Sequence, residues 1–203
     1  VIYEEIGDKT KIGNASGTVH AETACIMSAF PHQVEGVSIC ITDPFCPNCA
    51  KNIAEAGIKT IYIDQAGFDK DFFKRRSGHF DAMSMRICEQ AGISVYAIEM
   101  KDKTILPILE ISSDYAPTDD SPITEEFLAE HNEDIFNALI KSASTTHKNR
   151  KFCVAIAENE EGQAFGLVAR AHAVIGFSLQ EDTEALIPPQ PAGKYSFIQE
   201  PIN

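Results

Sequence analysis

Residues 37–64, "VSICITDPFCPNCAKNIAEAGIKTIYID", have the pattern of a strand, a helix and a second strand. The apolar runs at 37–43 and 59–64 are typical of buried strands. Between them, Pro47 in the first turn and Gly57 after the last turn are typical boundaries of a helix. Two strands joined by a helical crossover pair in parallel. The stretch therefore predicts an α/β fold.

The segments on either side extend this pattern. Residues 19–30 have apolar side chains at helical spacing, and residues 69–92 predict an amphipathic helix with a break near Gly78. The other predicted strands are 1–5, 11–15 and 93–100. Because a long helix separates the strand at 59–64 from the strand at 93–100, we expect these two strands to be parallel.

The last third of the chain follows a polar stretch with two prolines at 112–123, which predicts a linker. A helix is predicted from about Glu125 to Ser144, and a hairpin at 151–171, where two apolar strands flank "ENEEG". The expected domains are an α/β domain at 1–116 and an α/β extension at 117–203.

The charge of the chain limits the class of substrate. It has 30 Asp and Glu against 17 Lys and Arg, for a formal net charge of −13. Such a charge repels nucleic acids, because Lys and Arg must neutralise their phosphates. We therefore expect a free nucleotide, nucleoside or base as the substrate, and not a long DNA or RNA strand.

The apolar runs and the cysteines indicate the compartment. No run approaches the roughly 20 apolar residues needed to span a bilayer, and the first residues show no charged-then-apolar leader. Of the six cysteines, only Cys46 and Cys49 form a close pair. This distribution is typical of a cytosolic metal protein and not of a disulfide framework. We expect a cytoplasmic protein without membrane contacts.

Two short motifs predict a zinc site. His20, Cys46 and Cys49 are zinc ligands by residue type, and a catalytic zinc ion keeps a fourth position for water. Cysteines at i and i+3 of a helix start face the same way, and the helix dipole favours their thiolate form. Glu22 lies in the same helix turn as His20, so that it could transfer protons without binding the metal.

Other interpretations of these motifs remain open. A Cys-x-x-Cys pair is also found in redox proteins and in structural zinc sites, and an isolated His-x-Glu often has no function. The order His-x-Glu followed by Cys-x-x-Cys, with each motif at a helix start, is the arrangement of zinc deaminases. The two motifs together favour the deaminase hypothesis.

The chain resembles the cytidine/deoxycytidylate deaminase superfamily over about residues 1–100. The resemblance rests on "HAE" at 20–22, on "CPNCAKNIAEAGI" at 46–58 and on the strand "KTIYID" after it. It implies a three-layer α/β/α fold with a mixed sheet, whose fourth and fifth strands are parallel. It also implies hydrolytic replacement of an exocyclic amine by oxygen. Zinc would be bound by His20, Cys46 and Cys49, and Glu22 would be the proton shuttle.

The sequence also differs from the family pattern. The family usually has proline directly before the first cysteine, whereas Phe45 stands there in this chain, and we expect Phe45 to face the substrate ring. A histidine as first ligand and the long helix at 69–92 resemble the branch with deoxycytidylate, guanine and tRNA adenosine deaminases. Within this branch, the acidic charge disfavours tRNA.

Substrate contacts are predicted from two further segments. "GNASG" at 13–17 resembles the loop where such enzymes place a base- or sugar-binding Asn, which is Asn14 here; an ordinary turn is the alternative. Lys74, Arg75 and Arg76 belong to a basic cluster that could bind a nucleotide phosphate, although a solvated helix face has the same pattern.

Two function hypotheses follow. The first is a zinc-dependent hydrolytic deaminase of a cytosine nucleotide or nucleoside, of the dCMP or cytidine type, with a homodimer expected from the resemblance. The alternative is a catalytically inactive deaminase-like zinc protein that acts as a binding module. Residues 117–203 are either a degenerate second deaminase-like unit, a segment that completes the first core, or an unrelated extension.

Overall fold

The computed structural model describes most of the chain and divides it into two compact units, Val1–Pro117 and Thr118–Asn203. The described residues are 19–29, 34–74, 77–119, 123–130, 132–148 and 151–177. The predicted strands at 1–5 and 11–15 and the predicted substrate residue Asn14 lie outside these ranges.

The first unit alternates strands and helices. Its described elements are α1 (Ala21–Ser28), β1 (Ser38–Ile41), α2 (Pro47–Glu55), β2 (Thr60–Asp64), α3 (Gln65–Phe68), α4 (Asp71–Lys74), α5 (Ser77–His79), a π-helical segment (Phe80–Ser84), α6 (Met85–Ala91), β3 (Ser94–Glu99) and β4 (Thr104–Leu109).

These strands form a four-stranded mixed sheet in the order β1-β2-β3-β4. β1 and β2 are parallel, and β2 and β3 are parallel, with Ile61 of β2 opposite Ile39 and Val95. β4 runs antiparallel to β3. The predicted α/β class and the predicted parallel pairing of the strands at 59–64 and 93–100 are therefore confirmed. The arrangement is compatible with a deaminase-like fold.

The core of this unit lies where the sheet meets its helices. Ile61, Ile63 and Val95 are fully buried, and they alternate with half-buried neighbours along β2 and β3. This alternation is the period-two pattern of a sheet covered more completely on one face. The helices α2 and α6 pack against each other, and they add Ile53 and Ile87 to the buried set.

The segment predicted as one amphipathic helix at 69–92 consists of shorter pieces. Within its described residues, α4, α5, the π-helical segment and α6 follow one another. The predicted apolar face is correct, because Phe80, Met83, Ile87 and Cys88 are buried. The predicted end is also correct, since Gly92 closes α6 with a φ of 72°, the left-handed conformation favoured at helix C-termini.

A close approach between α3 and the loop after β1 requires glycine at position 67. A Cβ atom at Gly67 would lie 2.4 Å from the carbonyl oxygen of Thr42 and 2.9 Å from Cα of Asp43. The loop leads directly to Cys46, so this contact helps to hold one of the predicted ligands in place.

We expect Gly67→Ala to lower the free energy of unfolding by about 2 kcal/mol or more, because the clash is with backbone and cannot relax by a rotamer change. Gly78→Ala is the matched control, since no described atom lies within 4 Å of its Cβ position in α5. Alanine there should be neutral or stabilising by up to about 1 kcal/mol. Urea unfolding of the intact chain measures both, and equal stability of the two variants would contradict the close approach.

In its described residues, the second unit contains a three-stranded antiparallel sheet and one helix. Its described elements are β5 (Thr124–Leu128), α7 (Glu133–Thr146), β6 (Phe152–Glu158) and β7 (Ala164–Arg170), with the strand order β5-β7-β6. The predicted hairpin is confirmed by the antiparallel pairing of β6 and β7. Leu139 of α7 is buried, and its side chain lies over Gly166 of β7, where a Cβ atom would be 3.0 Å away.

The helix predicted from Glu125 begins later, and this part of the prediction is wrong. Thr124–Leu128 is β5, which pairs with β7. The helix starts at Glu133 because Asn132 caps it, with its side-chain oxygen accepting a hydrogen bond from the backbone N–H of Ile135. Among the described residues of both units, no helix is long and apolar enough to cross a membrane.

Candidate metal centre

The first turn of α2 positions the two cysteines of the close pair. Cys46 is the N-cap, with an extended backbone, and Pro47 follows as the first helical residue. The backbone N–H of Cys49 donates a hydrogen bond to Cys46 Sγ at 3.4 Å. Because the two cysteines are three residues apart at a helix start, both sulfur atoms point to the same side.

A second helix start brings a histidine to these sulfur atoms. His20 is the residue before α1, and its ring makes no capping hydrogen bond. Its Nδ1 lies 3.3 Å from Cys49 Sγ and 3.5 Å from Cys46 Sγ. The two sulfur atoms are 3.5 Å apart. The structure thus brings together the three predicted ligands, although Cys46 and Cys49 follow His20 by 26 and 29 residues in the chain.

The three atoms fit a zinc ion. They all lie within 4.8 Å of one another. Ligands around one tetrahedral zinc ion, with bonds of about 2.0–2.3 Å, are about 3.6–3.8 Å from each other, close to the observed separations. Two thiolates and one imidazole are also a donor set that zinc prefers. His20, Cys46 and Cys49 therefore form a group that is consistent with zinc binding.

The electrostatics of the cysteine pair favour a thiolate. The side-chain hydrogen bond with Cys49 and the backbone N–H of Cys49 lower the pKa of Cys46, which is about 5 instead of 9.0 although burial acts to raise it. The same side-chain hydrogen bond raises the pKa of Cys49, and burial raises it further. These opposite shifts favour a thiolate at Cys46 and a shared proton on Cys49, and a bound metal cation would displace that proton.

Glu22 lies beside this group without belonging to it. It is half-buried in the first turn of α1, two residues after His20. Its negative charge is close enough to raise the pKa of Cys49. Within the described part of the chain, no hydrogen bond or ion pair occupies its carboxylate. A carboxylate near the metal site but outside the ligand group has the placement that proton transfer requires.

Phe45, the residue before the first cysteine, is held by the core. Its ring is 2% exposed and packs edge to face on Phe80, with ring centroids 5.4 Å apart. Its carbonyl oxygen accepts a hydrogen bond of 3.0 Å from the buried hydroxyl of Ser84. These contacts restrain the backbone directly before Cys46. Contact between Phe45 and a substrate ring stays a prediction.

The predicted phosphate-binding cluster is described only in part. Lys74 is exposed at the last position of α4. Arg75 and Arg76 lie outside the described residues. Phosphate binding by these three residues stays a prediction.

Sequence reasoning did not identify two polar residues beside Cys49. Thr23 Oγ1 lies 4.0 Å from Cys49 Sγ, and Asn52 Nδ2 donates a hydrogen bond of 2.9 Å to Thr23 Oγ1. One signal was available, because Asn52 follows Cys49 by three residues on α2 and so shares its helix face.

Comparison with known proteins gives two distant relatives. The chain is 36% identical over 78 residues to the "Uncharacterized deaminase in luxG 3'region" of Aliivibrio fischeri, a match that covers 38% of this chain and 50% of that protein. It is 30% identical over 90 residues to "ComE operon protein 2" of Bacillus subtilis strain 168, with 43% of this chain and 42% of that protein covered. No family model matches the chain.

One of these relatives is named a deaminase. The chain spans half or less of the length of the curated relatives that it matches. The matches and the His20, Cys46 and Cys49 group together indicate a deaminase-like protein with a geometry suited to zinc.

Proposed function

We propose that the chain is a zinc-dependent hydrolytic deaminase of a small nucleobase-containing substrate. The observation that carries the proposal is the convergence of His20, Cys46 and Cys49, with Glu22 beside them in the first turn of α1. Distant similarity to a protein named a deaminase supports it. A purely structural zinc site has no need of a nearby carboxylate that does not bind the metal, so Glu22 favours catalysis.

The residues of the site divide the chemistry between them. His20, Cys46 and Cys49 would hold the zinc ion. Bound zinc supplies a Lewis acid that makes a water molecule nucleophilic near neutral pH. Glu22 would take one proton from the attacking water and deliver it to the ring nitrogen. It would then take the second proton from the hydroxyl group left on the carbon and pass it to the leaving amine as the C–N bond breaks. Amine and water are thereby exchanged for a carbonyl group and ammonia.

The substrate that we propose is a cytosine nucleotide or nucleoside. The net charge of −13 favours a free small molecule over a long nucleic acid. Lys74, Arg75 and Arg76 would hold a phosphate, and Asn14 and Phe45 would contact the base or sugar. We further propose that the protein is cytoplasmic and forms a homodimer.

Metal content and ammonia release, measured on the same preparation, test this function. The panel consists of cytosine, adenine and guanine as bases, nucleosides and monophosphates. We expect one zinc ion per chain and ammonia from a cytosine nucleotide or nucleoside. Zinc without ammonia from any compound would favour a catalytically inactive binding module. Absence of zinc would contradict the metal site itself.

A further inference from the structure

A short chain of hydrogen bonds connects α1 to α2 beside the metal centre. Asn52 of α2 donates to the hydroxyl of Thr23 on α1 at 2.9 Å. The same hydroxyl lies 4.0 Å from Cys49 Sγ, within the range of a hydrogen bond to sulfur. All three side chains are at least partly buried. The contact therefore joins residues 26 and 29 positions apart without involving His20 or Cys46.

If Cys49 is a metal-bound thiolate, the direction of both hydrogen bonds at the Thr23 hydroxyl is determined. The amide nitrogen of Asn52 can donate a hydrogen bond but cannot accept one, so Thr23 Oγ1 is the acceptor in that contact. The hydroxyl then has one hydrogen of its own to donate. A thiolate sulfur has no hydrogen, and the Thr23 hydroxyl is therefore the donor to Cys49 Sγ.

We propose that Thr23, oriented by Asn52, is a positioning residue for Cys49 as a metal ligand. The inference rests on the metal-binding part of the proposed function. The hydroxyl hydrogen offsets part of the thiolate charge and restrains the sulfur atom. Because Thr23 directly follows Glu22 in α1, the same contact ties the helix that carries the proton shuttle to the helix that carries the cysteines. Partners that orient metal ligands in this way affect metal affinity by about 10- to 100-fold.

Cobalt binding tests the proposal without relying on turnover. The metal-free full chain is titrated with Co²⁺ alone, and the sulfur-to-cobalt charge-transfer absorption is followed. We expect Thr23→Val to weaken Co²⁺ binding by about 10- to 100-fold and to shift this absorption. Thr23→Ser keeps the hydroxyl and should stay within about threefold of the unaltered chain. Ser28→Ala is the matched control on the same helix, since its exposed hydroxyl donates a hydrogen bond to the Ala24 carbonyl of that helix.

A double-mutant cycle tests whether Asn52 acts through Thr23. Asn52→Leu alone should weaken Co²⁺ binding and shift the absorption in the same direction as Thr23→Val. In the Thr23→Val background it should have little further effect, which is the non-additivity expected of residues in one hydrogen-bonded chain. If Thr23→Val does not fold in circular dichroism spectra, Thr23→Ala removes the same hydroxyl and takes its place in the comparison with Thr23→Ser and in the cycle with Asn52→Leu.

The outcomes separate this inference from the proposed function. If Co²⁺ binds to all variants with the affinity and spectrum of the unaltered chain, the positioning role is overturned and the zinc site stands. If Thr23→Ser loses as much affinity as Thr23→Val, the methyl packing and not the hydroxyl is responsible, which also overturns it. If the unaltered chain binds no Co²⁺, both the inference and the proposed metal site fail.

Discussion

Glu22→Gln is expected to lower the turnover number by a factor of about 10² to 10⁴, the range that a general acid–base residue provides. Glutamine has nearly the same shape but cannot accept a proton from water at neutral pH. Glu22 is near Cys49 but is not one of the three grouped ligands, so zinc content should stay at the level of the unaltered chain. Ammonia release with the best substrate of the panel measures the first effect, and elemental analysis measures the second.

Glu89→Gln is the matched control, because Glu89 is an exposed side chain on α6. It removes one carboxylate from the same unit without touching the metal centre, and its turnover should not change. Unchanged turnover in Glu22→Gln, with zinc retained, would exclude the proton-shuttle role. Loss of zinc in Glu22→Gln would instead mean that the carboxylate supports metal binding.

Cys49→Ala is expected to weaken zinc binding by about 10²- to 10³-fold. Zinc bound to a small structural site stabilises it by about 10–16 kcal/mol, or about 2.5–4 kcal/mol for each of four ligands. Cys49 is a buried member of the candidate ligand group, and its loss leaves two of the three members described, His20 and Cys46. Competition with a chromogenic chelator measures the affinity, and activity should fall in proportion to the zinc lost.

Cys88→Ala is the matched control for a buried thiol. Cys88 is fully buried in α6, where burial raises its pKa to about 12. Alanine should lower the free energy of unfolding by about 1 kcal/mol through lost packing, while zinc affinity stays unchanged. Zinc binding by Cys49→Ala that equals that of Cys88→Ala would contradict the assignment of Cys49 as a ligand.

The strands and helix ends that could be predicted have strong local signals. Pro47 and Gly57 mark the ends of α2, and the apolar runs at 37–43 and 59–64 became β1 and β2. β4 was not predicted, and Pro107 is unfavourable in a strand, although proline is tolerated at an edge such as the one that β4 forms in the described sheet. The helix of the second unit was predicted to start at Glu125, which lies in β5. Residues 124–128 form a strand because they pair with β7, and no local pattern reveals this pairing.

In the candidate site, too, features with a local sequence signal could be predicted, and contacts between distant residues could not. The grouping of His20, Cys46 and Cys49 could be predicted because residue type and spacing express metal-binding chemistry directly. The Thr23–Asn52 contact and the Ser84–Phe45 contact could not, since they join residues 29 and 39 positions apart. Each depends on how two helices or loops pack, and tertiary packing of this kind leaves no periodic signal in the chain.

Because His20 and Cys49 are far apart in the chain, a zinc ion bound to both would also affect the folding equilibrium. A zinc ion bound by both would be a cross-link that closes a loop of 29 residues. Closing such a loop in an unfolded chain costs about 4 kcal/mol of chain entropy, whereas the folded first unit already holds the ends together. An unfolded chain keeps ready access only to the local pair Cys46 and Cys49. Zinc would therefore select the folded chain, and the supply of free zinc would help to set how much of the protein is folded.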